Sequence, residues 1–204
     1  EETYLPLYEG KMFGYFNANA ADVVANMENV QRKGQPVSLS VKDLKNPARL
    51  VRPQYWVSEK ALKKRGENND LASGFIAYKA VTSPTNERTF IATYLPYSAI
   101  HHNGPIVETE ENKVNEVCLL SNLTSFPLDY TLRNKSDSNY LSFFYLNQLP
   151  VHPPERYTPE LLEYIVPRVL ELTYTAWDLA AFADDVWSES SAALQDAIEA
   201  QWKD

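Results

Sequence analysis

Cysteine and glycine are scarce in this chain of 204 residues, and long apolar runs are missing from it. One cysteine, Cys118, cannot form an internal disulfide. It lies on an apolar helical face, so we expect a buried thiol in a reducing cytosol. No stretch approaches the ~20 apolar residues of a membrane span, and no signal-peptide pattern opens the sequence. Because 44% of the residues are hydrophobic, the sequence predicts a cytoplasmic, core-forming protein without a membrane partner.

The net charge of −8 argues against a nucleic-acid partner, but the charge is unevenly distributed. Between residues 42 and 65 only Asp43 and Glu59 oppose a basic segment: Lys42, Lys45, Arg49, Arg52, Lys60, Lys63, Lys64 and Arg65. After Glu155 the chain is strongly acidic. Phosphate affinity follows a local patch rather than the total charge, so this segment is compatible with DNA binding. The alternative is a solvated charged face.

β-branched and aromatic residues predict strands in the first half of the chain. The clearest are residues 74–81 and 88–94, which flank the turn residues 83–86 and should form a hairpin or lie as neighbours in one sheet. Residues 4–8, 11–16 and 49–57 are further strand candidates, as are the short segments 97–100 and 105–107. Residues 22–30 are a helix candidate, and Ser58 should cap a short basic helix that ends at Gly66, before a turn at 67–70.

The stretch from Leu119 to Glu155 is the most informative part of the chain. An apolar helix should run to Leu123, pause at Thr124-Ser125 and restart with Pro127 in its first turn. Residues 133–139 have no apolar side chain to bury, so we expect a basic, amide-rich loop there. An aromatic strand at 140–146 should then return the chain to the core. A loop held at both ends suits the presentation of side chains to a partner.

The C-terminal part is predicted to be helical and acidic. Thr158 is an N-cap candidate with Pro159 at the first helical position, and Pro167 should interrupt or restart that helix. Leu194, Ile198 and Trp202 form the stripe of a last helix. The predicted fold is therefore of the mixed α/β (α+β) class, with a central mixed or antiparallel sheet and flanking helices in residues 1–155. A helical segment, residues 156–204, should pack on it.

Four ordered blocks resemble the C-terminal target-recognition region of bacterial adenine-specific DNA methyltransferases of the type IIG and type I single-polypeptide restriction–modification systems and related phage-defence methylases. The blocks are LPLYEGKM at 5–12, SPTNERTFIATYLP at 83–96, the stretch 119–154 and PRVLELTYTAWD at 167–178. The resemblance implies a target-recognition domain that positions double-stranded DNA for a methyltransferase domain of the same polypeptide. It also implies S-adenosylmethionine-dependent adenine-N6 methylation by that parent enzyme.

The chain does not encode methyl transfer or another recognisable reaction by itself. The six glycines are too scattered for a cofactor loop, and the Pro-Pro pair, Pro153-Pro154, has the wrong neighbours for an adenine-gripping turn. Glu111 and Lys113 have a nuclease-like spacing without the preceding acid that Mg²⁺ would need, and a solvated helix start explains them better. His101-His102 is a better loop pair than a metal site. We therefore predict no catalytic residue, metal or cofactor within this chain.

A DNA-reading role predicts specific contacts. Arginine pairs with guanine, asparagine or glutamine with adenine, and lysine with phosphate. The predicted DNA-binding residues are Arg49, Arg52, Lys60, Lys63, Lys64, Lys79, Arg88, Arg133, Lys135, Asn139 and Tyr140. Two alternatives stand beside this set: Arg88 as an internal ion-pair residue, and the aromatic pairs Tyr55-Trp56 and Phe143-Phe144 as core. The alternative function is a protein–protein module in which the acidic tail docks on a catalytic domain or partner.

Overall fold

The computed structural model describes residues 2–25, 28, 34–64 and 73–203. In this part of the chain the strands are β1 Tyr4–Tyr8, β2 Ala21–Ala25, β3 Gly34–Ser38, β4 Trp56–Ser58, β5 Phe75–Tyr78, β6 Ala92–Leu95, β7 Ala99–Ile100 and β8 Ile106–Val107. The helices are α1 Val41–Leu44, α2 Glu59–Lys64, α3 Lys113–Leu123, α4 Phe126–Lys135, α5 Phe143–Leu146, α6 Pro159–Thr173, α7 Ala180–Glu189 and α8 Ala192–Trp202. The predicted α+β class with a C-terminal helical segment is confirmed.

Within the described residues, the strands form small sheets in the orders β4-β1-β7, β2-β3 and β6-β5-β8. β1 is antiparallel to β4 and parallel to β7, whereas β5 is antiparallel to both of its neighbours. The pairing of β5 with β6 confirms that the segments 74–81 and 88–94 are antiparallel neighbours. Gly74 makes the entry to β5 possible, because its φ is +111° and a Cβ there would lie 2.2 Å from the Leu95 carbonyl oxygen.

Helix α3 lies at the centre of the core and packs against α6 and α7 as well as β6. The buried Tyr94 ring of β6 stacks on Phe182 of α7, with ring centroids 3.7 Å apart. The Tyr94 hydroxyl donates to Glu116 Oε2 of α3 at 2.9 Å, so the polar end of the ring is satisfied inside the core. Side chains from residues 1–155 and from residues 156–204 therefore share one core.

The predicted start of α6 at the Thr158 cap and the predicted restart at Pro127 agree with the helix boundaries. The Ser125 hydroxyl accepts the Leu128 N–H at the start of α4, and the Thr158 hydroxyl accepts the Leu161 N–H at the start of α6. Cys118 is buried in α3 as predicted, and burial raises the pKa of its thiol to about 12. The predicted break at Pro167 is wrong: α6 runs through it, because Val166, Val169 and Leu170 bury the same turn in the core.

Four other predictions of local structure are wrong in whole or in part. Residues 22–25 are strand β2 rather than helix, because they pair with β3 in register; residues 26, 27 and 29–33 lie outside the described residues. Residues 11–16 form a turn closed by a Gly14–Asn17 bridge, and only residues 56 and 57 of the segment 49–57 belong to a strand, β4. The predicted strand at 140–146 is a single bridge residue, Tyr140, followed by helix α5.

The aromatic pairs predicted to be core are exposed. Tyr55, Trp56, Phe143 and Phe144 each have more than half of their surface accessible to solvent, so the core prediction for them is wrong. β4 is a short edge strand that pairs with β1 alone, and α5 is a four-residue helix without a buried residue, so these rings stay uncovered. Arg65, Gly66 and the predicted turn at 67–70 lie outside the described residues. No described helix is both long and apolar enough to cross a membrane.

Candidate nucleic-acid interface

A polar cleft of about 350 Å³ opens where three chain segments leave their sheets. These segments are the residues after β1, the residues after β5, and the turn between β7 and β8. The side chains and backbone that line the cleft belong to Glu9, Gly10, Lys11, Lys79, Val81, His101 and Asn103. Two lysines, a histidine and an amide therefore meet in one concave place.

Strand pairing brings these segments together. β1 and β7 are parallel, with Tyr8 opposite Ile100, so both leave the sheet at the same edge. The His101 N–H donates to the Tyr8 carbonyl at 2.8 Å, and the Ala80 N–H donates to the Asn103 carbonyl at 3.0 Å. Gly10 permits this close approach, because a Cβ there would lie 2.9 Å from the Asn103 oxygen.

The charges in the cleft are only partly balanced. Lys11 Nζ lies 2.9 Å from Glu9 Oε2 and donates to the Gly34 carbonyl at 2.9 Å. Lys79 forms no ion pair with a described residue, and its ammonium lies 5.9 Å from the centre of the Phe13 ring. Burial lowers the pKa of Lys79, since the charged form loses water without gaining an anionic partner. An anion in the cleft would supply that partner.

Asn139 and Tyr140 lie beside the cleft. Val81 lines the cleft and forms a β-bridge with Tyr140, and the Thr82 N–H donates to the Asn139 carbonyl at 3.1 Å. Both residues expose their side chains, whereas Leu141 is buried and its N–H donates to the Ala80 carbonyl at 2.7 Å. The exposed amide and phenol are thus presented by backbone pairing with the chain after β5.

Arg133 and Lys135 are not in a loop, contrary to the prediction for residues 133–139. They belong to the last turn of α4, and the connection that follows is residues 136–139. The Arg133 guanidinium lies 3.0 Å from Asp129 Oδ2 and donates to the Glu87 carbonyl at 3.0 Å. Lys135 is exposed, with Nζ 3.5 Å from the Gln148 carbonyl. Arg133 therefore already has structural partners, and Lys135 remains accessible.

Arg88 forms a cation–π contact rather than the internal ion pair considered above. Its guanidinium carbon lies 3.8 Å from the centre of the exposed Phe126 ring and 5.3 Å from that of Tyr15. No carboxylate among the described residues forms an ion pair with it. The stacking holds a half-buried positive charge against α4.

Three of the remaining predicted residues, Lys60, Lys63 and Lys64, lie at the other end of β1. Helix α2 follows β4 directly, and the Glu59 N–H donates to the Thr3 carbonyl at 2.9 Å, next to the start of β1. The cleft is at the end of that strand, so five residues of β1, or roughly 15 Å, separate the two places. Lys60 and Lys64 are exposed there, and Lys63 pairs with Glu59 at 2.6 Å.

Arg49 and Arg52 flank β2 rather than α2 or the cleft. Arg49 pairs with Asp22 at 2.5 Å and lies 3.7 Å from Asp43, so its charge is balanced internally. Arg52 is exposed, and its backbone N–H donates to Asp22 Oδ1 at 2.8 Å. The basic segment is thus distributed over the surface instead of forming one patch.

The cleft residues Glu9, Lys11, His101 and Asn103 were absent from the predicted DNA-binding set. They come from two distant segments, and the sequence carries no spacing that links them. The two histidine rings of His101 and His102 lie 4.0 Å apart, but no group of three or more metal-ligating side chains occurs among the described residues. Because Lys79 lines the cleft without an ion pair to a described residue, the cleft is an anion-binding candidate.

Comparison with known proteins adds no relative. No protein-family model, curated protein sequence or solved structure matches the chain. The proposal below rests on the site geometry and on the four sequence blocks.

Proposed function

We propose that this chain is a DNA-binding target-recognition domain of a bacterial, cytoplasmic, restriction–modification type adenine-N6 DNA methyltransferase. Methyl transfer from S-adenosylmethionine would be performed by a methyltransferase domain of the parent polypeptide. The observation that carries the proposal is the polar cleft: Lys79, which has no ion-pair partner among the described residues, lines it, and the backbone of its rim pairs with the exposed residues Asn139 and Tyr140. That combination suits a phosphate together with an unpaired or groove-exposed base edge.

Lys79 gives the cleft its anion preference. Burial lowers the pKa of Lys79, because the ammonium loses contact with water and gains no negatively charged partner. A DNA phosphate bound in the cleft would supply that partner and offset the lost hydration. Lys11 is already paired with Glu9, whose Oε1 is buried without a hydrogen-bond partner. Glu9 disfavours an anion at its own side of the cleft, so phosphate should bind on the Lys79 and His101 side.

Asn139 and Tyr140 supply the groups that a base would contact. An asparagine amide can pair with the N6 and N7 edge of adenine, and a tyrosine ring provides a stacking surface worth about 1–3 kcal/mol per base. The exposed lysines of α2, roughly one strand length away, would hold a second stretch of phosphate backbone. We leave Arg49 and Arg133 out of the interface because their guanidinium groups have internal partners.

The proposal predicts salt-dependent binding of duplex DNA that depends on both basic places. Fluorescence anisotropy with a labelled random-sequence duplex, from about 50 to about 200 mM salt, should give a log–log slope of about −0.9 per phosphate contact. Lys60→Gln/Lys64→Gln should reduce the magnitude of that slope by the equivalent of about two phosphate contacts. Lys79→Gln should reduce it by the equivalent of about one contact. Asn139→Ala should leave the slope unchanged, because its amide would contact a base and not a phosphate.

The matched control is Arg168→Gln/Lys203→Gln, which changes the net charge as much as the double lysine variant but lies on α6 and just after α8. If the control weakens binding as much as Lys60→Gln/Lys64→Gln, the affinity reflects total charge and the proposed interface is wrong. If the affinity does not depend on the salt concentration, the protein makes no phosphate contacts and the proposal is wrong.

A protein–protein docking role is the second candidate, and one observation favours it. The predicted apolar stripe of α8 is split: Leu194 and Ile198 are buried in the core, while Trp202 is exposed. Leu161 at the start of α6 is exposed as well. If docking dominates, the chain should co-purify with the parent methyltransferase domain without DNA, and Trp202→Ala should abolish that association.

A further inference from the structure

The C-terminal helices hold an aromatic pocket of about 410 Å³ that shares no lining residue with the polar cleft. Its aromatic walls are Tyr174, which caps the end of α6, Trp177 in the short turn Trp177–Leu179, and Trp202 at the end of α8. Glu171 and Gln201 also line it, and Pro47 closes one side. This volume is within the range of small-molecule sites.

Trp202 stacks on Tyr174, whereas Trp177 is edge-on to it. Tyr174 and Trp177 have centroids 6.3 Å apart and planes inclined at 72°, whereas Tyr174 and Trp202 are 5.8 Å apart and inclined at 28°. The Trp177 N–H donates to the Pro47 carbonyl at 2.9 Å, which fixes this wall to the body of the domain. The arrangement is therefore largely preformed.

The tryptophans are uncovered although they are large and apolar. Trp177 has 61% of its surface exposed and Trp202 has 48%. Surface tryptophans of this kind are concentrated at binding sites, because an aromatic face loses little entropy when it is covered. The exposure of the two tryptophans does not identify the ligand, whereas the charge around the pocket indicates its sign.

The charge around the pocket is negative. Glu171 lines it, and Glu171 Oε2 accepts a hydrogen bond from Gln201 Nε2 at 2.8 Å, which holds the carboxylate at the rim. Asp184 and Glu199 line an adjoining pocket that shares Tyr174 and Trp202, and the one lysine there, Lys203, pairs with Glu199 at 3.3 Å. The described residues that line the aromatic pocket include no lysine or arginine.

We propose that this pocket binds an organic cation of the quaternary-ammonium class, either a free small molecule or a methylated lysine side chain of a partner protein. The ammonium would lie against the faces of Trp177 and Trp202, with Tyr174 behind it and Glu171 at the rim. Aromatic faces carry negative electrostatic potential, so a poorly hydrated cation gains more from them than a neutral group of the same shape. This inference is independent of DNA binding.

The test is a titration of the full chain with choline, followed by the indole N–H signals in NMR spectra. Choline should shift the signals of Trp177 and Trp202 in a saturable way. Its neutral isostere, with carbon in place of nitrogen, should bind about tenfold more weakly. Trp177→Ala and Trp202→Ala should each abolish saturation, and Glu171→Gln should weaken binding roughly threefold while it preserves the contact with Gln201.

The matched control is Trp56→Ala, which removes an equally exposed tryptophan from β4 and should leave choline binding unchanged. A short peptide with one trimethyllysine separates the two sources. Binding at least tenfold tighter than choline assigns the site to a modified protein partner, and equal or weaker binding assigns it to a free cation. Equal affinity for choline and the neutral isostere, or no shift at either tryptophan, overturns the proposal.

Discussion

The Asp129 carboxylate connects helix α4 to the chain segment that leads into β6. Its Oδ1 accepts the backbone N–H groups of Thr89 and Phe90, each at 2.7 Å, and its Oδ2 pairs with Arg133. Asp129 is almost fully buried, so these donors have no access to water as a substitute. One side chain therefore holds three groups that belong to two elements.

We predict that Asp129→Ala destabilises the protein by about 3–5 kcal/mol, because it leaves two buried N–H groups without an acceptor and removes the anionic partner of Arg133, which keeps only its bond to the Glu87 carbonyl. Arg133→Ala should cost less than about 1 kcal/mol, since about a third of that side chain is exposed and solvent screens the pair. Urea unfolding followed by circular dichroism measures both. Equal losses for the two variants would contradict this division of roles.

The sequence showed the basic character of Arg133 but not its partner. The two residues are four apart, which is the spacing of a helical ion pair, yet that spacing applies only if α4 continues to Lys135. The polar composition of residues 133–139 predicts a loop. Because no helix-breaking residue precedes Ser136, α4 continues to Lys135 instead. The Lys79 environment could not be predicted either, because it depends on segments that are distant in sequence.

Local signals were sufficient for elements that carry their own start signal or a β-rich composition. The Thr158 cap, the helix restart with Pro127 in the first turn of α4 and the paired β5 and β6 were predicted. β2 and α5 were not, because they are short and their type depends on a partner: β2 pairs with β3, and α5 starts after the bridge at Tyr140. Short elements of this kind are decided by tertiary contacts.

Thr158 provides a prediction at the scale of one helix. Thr158→Ala should destabilise the protein by about 1 kcal/mol, because the Leu161 N–H loses its side-chain acceptor at the start of α6. Thr158→Ser keeps the hydroxyl and should cost only a few tenths of that amount. Thermal unfolding of the three proteins provides the comparison. A serine variant as unstable as the alanine variant would show that the methyl group, and not the cap, matters.

Several buried tyrosines make the whole molecule sensitive to alkaline conditions. Burial raises the pKa of Tyr78 and of Tyr157 to about 12, and burial together with Glu116 raises that of Tyr94 further. The ordinary pKa of 10.0 applies once the chain unfolds. A raised folded-state pKa means that the stabilisation is complete below pH 10 and is lost as the pH rises towards 12.

We therefore predict that the free energy of unfolding falls between pH 10 and pH 12, by about 1.4 kcal/mol per pH unit for each phenol that ionises only on unfolding. Urea unfolding at constant ionic strength, with tyrosinate absorbance recorded in parallel, measures it. Tyr157→Phe removes one such phenol and should make the decline shallower. A constant stability across this range would contradict the burial of these rings.

The charge distribution of the whole molecule could not be inferred from its order along the chain. Eight basic residues between 42 and 65 predicted one patch, but the fold sends their segments to different places: Arg49 pairs beside β2 and the α2 lysines lie at the start of β1. The charged and polar side chains of the cleft come from residues 9–11, 79, 101 and 103. Only the fold decides which distant cations become neighbours.

The stacking of Tyr94 on Phe182 limits where the chain can be divided. A break placed at residue 155 would separate α3 and β6 from α6 and α7, which cover them. Each fragment would then expose apolar side chains that the intact chain buries in one core. We therefore expect residues 1–155 and 156–204 to fold only as one chain or as a reassembled pair of fragments.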